Sequence, residues 1–423
     1  MKLKKLTKNL KTWKRHVKRA VSTALTAAML VGMPAVHTPV EAQAASKVSI
    51  AHFNEMLKDV TGMDAWLATD SYYKSKSALT NQVAAQMALR ADEQLNGTAY
   101  NEDLYEQVVK KNRIRDIKKA TKKYREALTL CFVKGIMPGK AKENYSQQRS
   151  LSPKSKVTPS QARSIVARVK NKGKRIKLTD DGQVTRTTNL PKNASSYPYI
   201  LASFPNSYYE PKFDYDQIEY KAGYIPVNLV DYASPKNVKK VKDGWDEGDG
   251  YTFGTAYSEY CDEWMEMIRT NLECRFNYSY KMSDKEYKKW KAKLLATYSK
   301  RYRDRESGYL DNYRSWSKQL DTVVKASKIV VEPSSIYMSN GKYFVRCYVE
   351  FTVNANRYFS AESLDQNAYL YSSHAYFPGL QLNKKYAAVI DVRFEDFTIN
   401  GGGSGASIID DYLGRAGDPR MAP

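Results

Sequence analysis

The side chains that most often carry covalent chemistry are scarce in this chain. Its 423 residues include four histidines and four cysteines. Only His52 and His374 lie beyond the first 45 residues. That is thin material for a zinc site or for a Ser-His or Cys-His nucleophile. Cys131 and Cys347 fall within apolar patterns and read as small buried residues. About one helix separates Cys261 from Cys274, which would hold their sulfurs too far apart to pair. Cys347 with His374 is the one conceivable Cys/His pairing in the C-terminal part, and an inward-facing strand cysteine is ordinarily core. Among the carboxylates, Asp391 and Glu395 share the strand face opposite the apolar one, so the alternation predicts that they face solvent. A glycosidase pair is defined by a distance in space, which spacing in sequence does not give. Asp243 to Gly250 is an acidic loop, but Trp245 stands where the second oxygen ligand of a calcium loop belongs. No Gly-rich phosphate loop or run of metal ligands appears. No catalytic residue, cofactor or metal is therefore assigned, and the reading leans away from an enzyme.

What the chain has in excess is positive charge, formally +23. Residues 1–45 hold nine of the basic residues and one acid, so the remainder carries +15. Those 45 residues read as a secretory signal peptide. Lys2 to Arg19 is a basic region of the kind Gram-positive exported proteins carry. An uncharged run from Ala20 to Met33 follows, then Ala42-Gln43-Ala44, the small-x-small pattern of a cleavage site. The apolar run is short for a bilayer span and is interrupted at Gly32 and Pro34. No later segment is apolar enough to be a transmembrane segment, and no LPxTG-like motif precedes Pro423. A basic secreted protein meets anionic polymers such as acidic wall polysaccharide or teichoic acid, whereas nucleic acid is a poor candidate outside the cell. A solvated basic surface that aids solubility is the alternative.

One pattern occurs twice. Leu79-Thr80-Asn81-Gln82-Val83-Ala84 runs on to Met87 and Arg90, and Val157-Thr158-Pro159-Ser160-Gln161-Ala162 runs on to Ile165 and Arg168. Each reads as a helix start. Thr158 can cap the first turn, Pro159 suits the first helical position, and Gln161 completes a capping box. Asn96-Gly97 is a helix stop for the earlier copy. Val184-Thr185-Arg186-Thr187 looks like a third start, but Pro191 follows too soon for a helix.

A helix pattern from Asp116 through Tyr124, Ala127, Leu128, Cys131 and Phe132 ends at Gly135-Ile136-Met137-Pro138-Gly139. A polar loop with Pro153 leads into the capped helix. This order resembles the S-layer homology (SLH) domain: an Asp-apolar start, a helix to Gly-Ile-x-x-Gly, a loop with a Pro, and a helix opening Ile-Thr-Arg-Ala-Glu. The likeness covers about 113–169 well and 50–97 through its second half. It implies a helical fold and attachment to wall polysaccharide. The family's polysaccharide-binding Arg is Pro159 in one copy and Asn81 in the other, and its Glu is Gln161 or Val83. The family builds its pockets from three units, and about two are present. Arg149, Arg163 and Arg168 are the nearest substitutes for the missing Arg fork, although Arg163 and Arg168 read equally as solvated helix positions.

The chain divides by character. After the signal peptide (1–45) comes the helical SLH-like module (46–170). A Tyr/Pro-rich irregular region follows over 171–255, with short strands such as Tyr224–Val230. From 256 to 399 helices precede antiparallel strands, an α+β domain, and a Gly-rich tail occupies 400–423. In that domain Cys261, Trp264, Met265, Ile268 and Leu272 form one stripe. After the Ser283–Glu286 capping box, Tyr287, Trp290, Leu294, Tyr298 and Tyr302 form another, and Tyr309, Tyr313, Trp316, Leu320 and Val323 a third. Asn340-Gly341 reads as a hairpin turn. Val345, Cys347, Val349, Phe351 and Val353 share a strand face, as do Ala388, Ile390, Val392 and Phe394. The expectation is a secreted, wall-associated, non-enzymatic binder. A secreted hydrolase with its site in 256–399, or a structural wall or matrix protein, are the alternatives.

Overall fold

The computed structural model describes residues 47–72, 75–192, 194, 197, 199–211, 220–221, 253–339, 342–355, 381–396, 406–407 and 420–421. Residues 1–45, which read as a signal peptide, and Tyr224–Val230, Asp243 to Gly250, Asn340-Gly341, His374 and the Gly-rich run at 401–405 lie outside them.

The N-terminal part is helical: α1 (Ile50–Thr61), α2 (Asn81–Asn96), α3 (Glu102–Lys110), α4 (Arg125–Val133) and α5 (Pro159–Lys170). Local chemistry sets the boundaries. The Ser49 side chain accepts from His52 N–H at the start of α1, and Gly62 ends it at φ 76°. Asn101 caps α3. Thr158 and Gln161 form the expected reciprocal capping box on α5. Thr80 also stands at an N-cap, but its hydroxyl makes no capping bond. The first N–H groups of α2 are satisfied from across the chain instead, Asn81 N–H donating to Ser155 O at 3.0 Å and Gln82 N–H to Pro153 O at 2.9 Å. Thr80 pairs antiparallel with Lys156, so the two copies of the repeated motif lie side by side. Ala84, Met87 and Ala88 of α2 and Ala162, Ile165 and Val169 of α5 enter one core with Leu128, Cys131 and Phe132. Burying each large side chain there stabilises the fold by about 1.5–3 kcal/mol.

The glycines of Gly135-Ile136-Met137-Pro138-Gly139 have a steric reason. Gly135 sits at φ 69° with Ile176 O where a Cβ would be, and Gly139 at φ 61° with Ser150 O 2.7 Å from that position. Left-handed backbone and close approach together select glycine. Beyond this turn a short hairpin joins β1 (Lys140–Ala141) to β2 (Arg149–Ser150).

Residues 171–211 supply β3 (Thr185–Arg186) paired with β4 (Ile200–Leu201), then a one-turn helix, α6 (Asn206–Tyr209). The third Thr start is thus strand, as the early proline requires. Phe204, Tyr208 and Tyr209 pack with Tyr145 and Tyr348 into a small aromatic core.

The C-terminal part has three helices, α7 (Phe253–Arg275), α8 (Asp284–Ala296) and α9 (Lys300–Leu320), and an antiparallel sheet. Its main path places β11 (Ala406–Ser407), β10 (Lys385–Asp396), β9 (Lys342–Asn354), β7 (Val323–Val331) and β6 (Asn277–Ser279) side by side. β8 (Tyr337–Ser339) pairs with β9 and with β5 (Tyr220–Lys221), and β12 (Arg420–Met421) pairs with β10. Ser339 faces Lys342, which fixes the β8–β9 register. Both predicted strand faces are buried in one core with Trp264, Ile268, Leu272, Tyr287, Trp290 and Leu294. The chain is a mixed α+β protein, helical first and antiparallel sheet after. The described residues from Val48 onward form one compact unit.

Three expectations need correction. The stripe from Tyr287 to Tyr302 is not one helix, because α8 ends at Ala296 and α9 begins at Lys300 after the Ser299 N-cap. On α9 the buried face runs through Glu306, Leu310, Tyr313, Ser317 and Leu320, leaving Tyr309 49% and Trp316 36% exposed. The helical period from Tyr313 selects these positions, and the two aromatics sit on its flank. Asp391 is fully buried, not solvent-facing. Arg346 donates to it from Nε at 2.7 Å and Nη2 at 2.9 Å, under Tyr197 and Pro211 O, both of which accept from Arg346 Nη1. The Tyr-rich segment roofs the sheet face that alternation assigns to water.

Candidate functional site

A cleft of about 430 Å³ opens where one face of α5, from Ser160 to Arg168, meets the Gly135–Gly139 turn, the β1–β2 stem and the 150–156 loop. Met137, Pro138, Leu151 and Ile165 give it apolar surface, Gly139 contributes backbone, and the other lining side chains are polar. Ser160, Ser164 and Arg168 enter from α5 at intervals of four, hence from one helix face. Ser150, Ser152, Ser155 and Lys156 come from the loop, Lys140 from β1 and Asn81 from the start of α2. The lining includes three cations and no carboxylate. The partial positive charge at the N-terminus of α5 adds to theirs.

The walls are held by groups behind them. Asp116 is buried and accepts hydrogen bonds from Leu151 N–H at 3.0 Å, from Ser152 N–H at 2.8 Å and from the Ser150 hydroxyl. These bonds hold Ser152 at φ 48°. Asn81 spends both amide hydrogens on Leu151 O and Ser152 O. It therefore stabilises the wall and offers no fork to a ligand.

The three arginines expected to bind part company here. Arg149 is a staple behind the wall, with Nε 2.6 Å from Pro138 O, Nη2 3.0 Å from Gly139 O and Nη1 2.9 Å from Ser203 Oγ. Arg163 is exposed and does not line the cleft. Arg168 does line it, half-buried, with one bond from Nη1 to Ile136 O at 3.2 Å. Burial lowers the pKa of both Arg149 and Arg168 from its ordinary value. The repeat makes the contrast clear. Arg90, at the equivalent place in the first copy, is ion-paired with Asp70. Among the described residues Arg168, Lys140 and Lys156 have no ion pair. Sequence reasoning missed Lys140, Lys156, Ser160 and Ser164. The four-residue polar spacing to Arg168 was the available signal for the last two.

A second cleft, about 470 Å³, lies between α7, α8 and the edge of β7, lined among others by Arg269, Glu273, Cys274, Trp290, Lys293 and Lys328. Glu273 pairs with Lys293 at 3.5 Å. Neither cleft is lined by two carboxylates. Burial pushes the Cys274 thiol up to about 11 and raises Cys131 and Cys347 further, so these are thiols, not thiolates, at neutral pH. All four cysteines are buried, and none forms a disulfide among the described residues. Among the described residues no three His, Cys, Asp or Glu gather to hold a metal ion, and no helix is long and apolar enough to cross a membrane.

No family model, no curated protein and no solved structure matches the chain.

Proposed function

We propose that the protein is a secreted, cell-surface-associated, non-enzymatic binder of anionic wall polymers, held non-covalently through its SLH-like helical module. The observation that carries this reading is the cleft with Lys140, Lys156 and Arg168 on its walls and no carboxylate among its lining residues. Hydroxyls of Ser150, Ser152, Ser155, Ser160 and Ser164 surround those charges. Such a mixture suits a hydroxyl-rich, negatively charged chain: the cations supply attraction and the serines supply hydrogen bonds. Arg168 takes the role that the family gives to the Arg of its Thr-Arg motif, approaching from two turns further along the helix.

The test is sedimentation of the chain from residue 46 onward with purified wall sacculi, before and after removal of anionic polymers. Binding is expected to need the polymers. It is also expected to fall steeply between 0.1 M and 1 M salt, as the screening length shrinks from about 10 Å to about 3 Å. Lys156→Gln with Arg168→Gln should weaken it at least tenfold, while Arg163→Gln leaves it unchanged. Equal binding to stripped sacculi, or a double variant that binds normally, would overturn the proposal.

A further inference from the structure

The cleft is bordered by a cationic ridge. Between Arg115 and Arg125 the chain makes two 3-10 turns, Ile117–Lys119 and Lys122–Tyr124. Lys118, Lys119, Lys122 and Lys123 all stand exposed, while Ala120 and Tyr124 point into the core. Among the described residues none of the four has an ion-pair partner. The one acid inside the segment, Asp116, is buried and occupied by the cleft wall. The backbone beneath is braced. Arg125 donates to Ala120 O at 3.2 Å and to Lys118 O at 3.0 Å, and Lys119 N–H donates to Asp116 O at 3.0 Å. Unpaired like charges this close repel one another, and a fixed backbone keeps them together.

Ridge and cleft are joined. Thr121 N–H donates to the Gln82 side chain at 3.1 Å, and the neighbouring Asn81 lines the cleft. Asp116 ties the ridge's first turn to Ser150 and Ser152 of the cleft wall. Resting on the binding role proposed above, we infer that the ridge is a second contact surface for the same ligand, and that this ligand is a linear phosphodiester-linked polymer long enough to lie on the ridge and enter the cleft. Lysine binds phosphate as a compact point charge without arginine's bidentate fork, and a row of lysines suits singly charged phosphates repeated along a flexible chain. A planar lipid surface does not reach into a cleft, and the ridge's apolar residues Ile117, Ala120 and Tyr124 pack against the helical core instead of standing out for insertion. Nucleic acid would ask for an exposed aromatic platform, and Tyr124 is buried.

The experiment compares three proteins and one charge control on lipid-free poly(glycerol phosphate), titrated from 0.05 to 0.5 M salt, with anionic lipid vesicles and duplex DNA as comparison probes. The three proteins are the chain from residue 46 onward, a ridge variant (K118Q/K119Q/K122Q/K123Q) and a cleft variant (K156Q/R168Q). A ridge variant with all four lysines changed to arginine controls for charge. The glutamine ridge variant is expected to bind at least tenfold more weakly at 0.1 M salt, with a shallower dependence of log K on log salt because fewer counterions are released. The arginine variant should bind like the parent, and thermal unfolding should be unchanged. Undiminished binding by the ridge variant, with loss in the cleft variant, overturns this inference and leaves the cleft reading intact. Undiminished binding by both overturns both. Tighter binding to anionic lipid vesicles or to duplex DNA than to the polymer also overturns it.

Discussion

Tyr145 lies flat against Tyr348, ring centroids 3.5 Å apart and planes 10° apart. Tyr145 is at the tip of the hairpin between β1 and β2, and Tyr348 is on β9 of the C-terminal sheet. Around this stack Gln147 donates to Val331 O at 3.1 Å and Glu332 at 3.0 Å, and Lys328 reaches Asn144 O at 3.1 Å. The stem of the same hairpin gives Lys140 and Ser150 to the cleft. The C-terminal sheet thus grips one end of a hairpin whose other end shapes the candidate site.

Tyr145→Ala should therefore act twice. It removes a buried aromatic and should cost about 3–5 kcal/mol in urea unfolding. Under conditions where it remains folded, it should also weaken polymer binding, although Tyr145 does not line the cleft. Tyr145→Phe keeps the stacked ring and should retain more of both properties than Tyr145→Ala. Normal binding by folded Tyr145→Ala would show that the hairpin stem is held without its tip.

The two threonine caps should respond oppositely. Thr158→Ala deletes a capping bond and should lower stability by about 1 kcal/mol. The Thr80 hydroxyl is buried and has no hydrogen-bond partner among the described residues. Thr80→Val keeps the shape and removes that polar group, so it should raise stability by about 1 kcal/mol. Chemical denaturation of the two variants in parallel checks the sign as well as the size.

Acid should loosen the N-terminal part through Asp70. Burial pushes its pKa up, but the hydrogen bond and charge of Arg90 and the Leu67 N–H outweigh this, leaving it below the ordinary 3.8. A carboxylate with a depressed folded pKa stabilises the fold above its unfolded value and loses that contribution as pH falls through the folded one. Asp70→Asn should thus lower the melting temperature at pH 7 and narrow its gap from the parent below pH 3.8. A gap of constant size from pH 7 to pH 2 would refute the assignment.

Arg346 and Asp391, both fully buried, should be costly to separate and cheap to replace together. Asp391→Asn or Arg346→Met alone should destabilise by about 3–5 kcal/mol, because each strands the other's charge. The double variant Arg346→Met with Asp391→Leu should recover much of that loss. A double-mutant cycle from unfolding curves gives the coupling.

Much of this fold is legible in the sequence because local rules and burial agree. Thr158-Pro159-Ser160-Gln161 specifies a helix start by itself, and the alternation at Val345–Val353 specifies a strand face by itself. What resists reading is contact between distant segments. Nothing near Asp391 announces that residues 197–211 will cover it, so period 2 alone assigns it to solvent. The cleft fails for a related reason. Arg149 and Arg168 are the same residue type, and only the carbonyls of Pro138 and Gly139, brought in by the Gly135–Gly139 turn, make the first a staple. Which cations face open space is settled by folding, not by residue type.

The four buried thiols make the chain its own reporter of opening. Cys131 lies in the helical core, while Cys261, Cys274 and Cys347 lie in the core beneath the sheet. A thiol reagent should leave the native protein untouched and label each cysteine only when its surroundings part. Mass mapping of the label against denaturant would then date the two cores separately within one molecule. If they open at one denaturant concentration, the hairpin between them transmits cooperativity; if Cys131 labels first, the helical part unfolds while the sheet still stands.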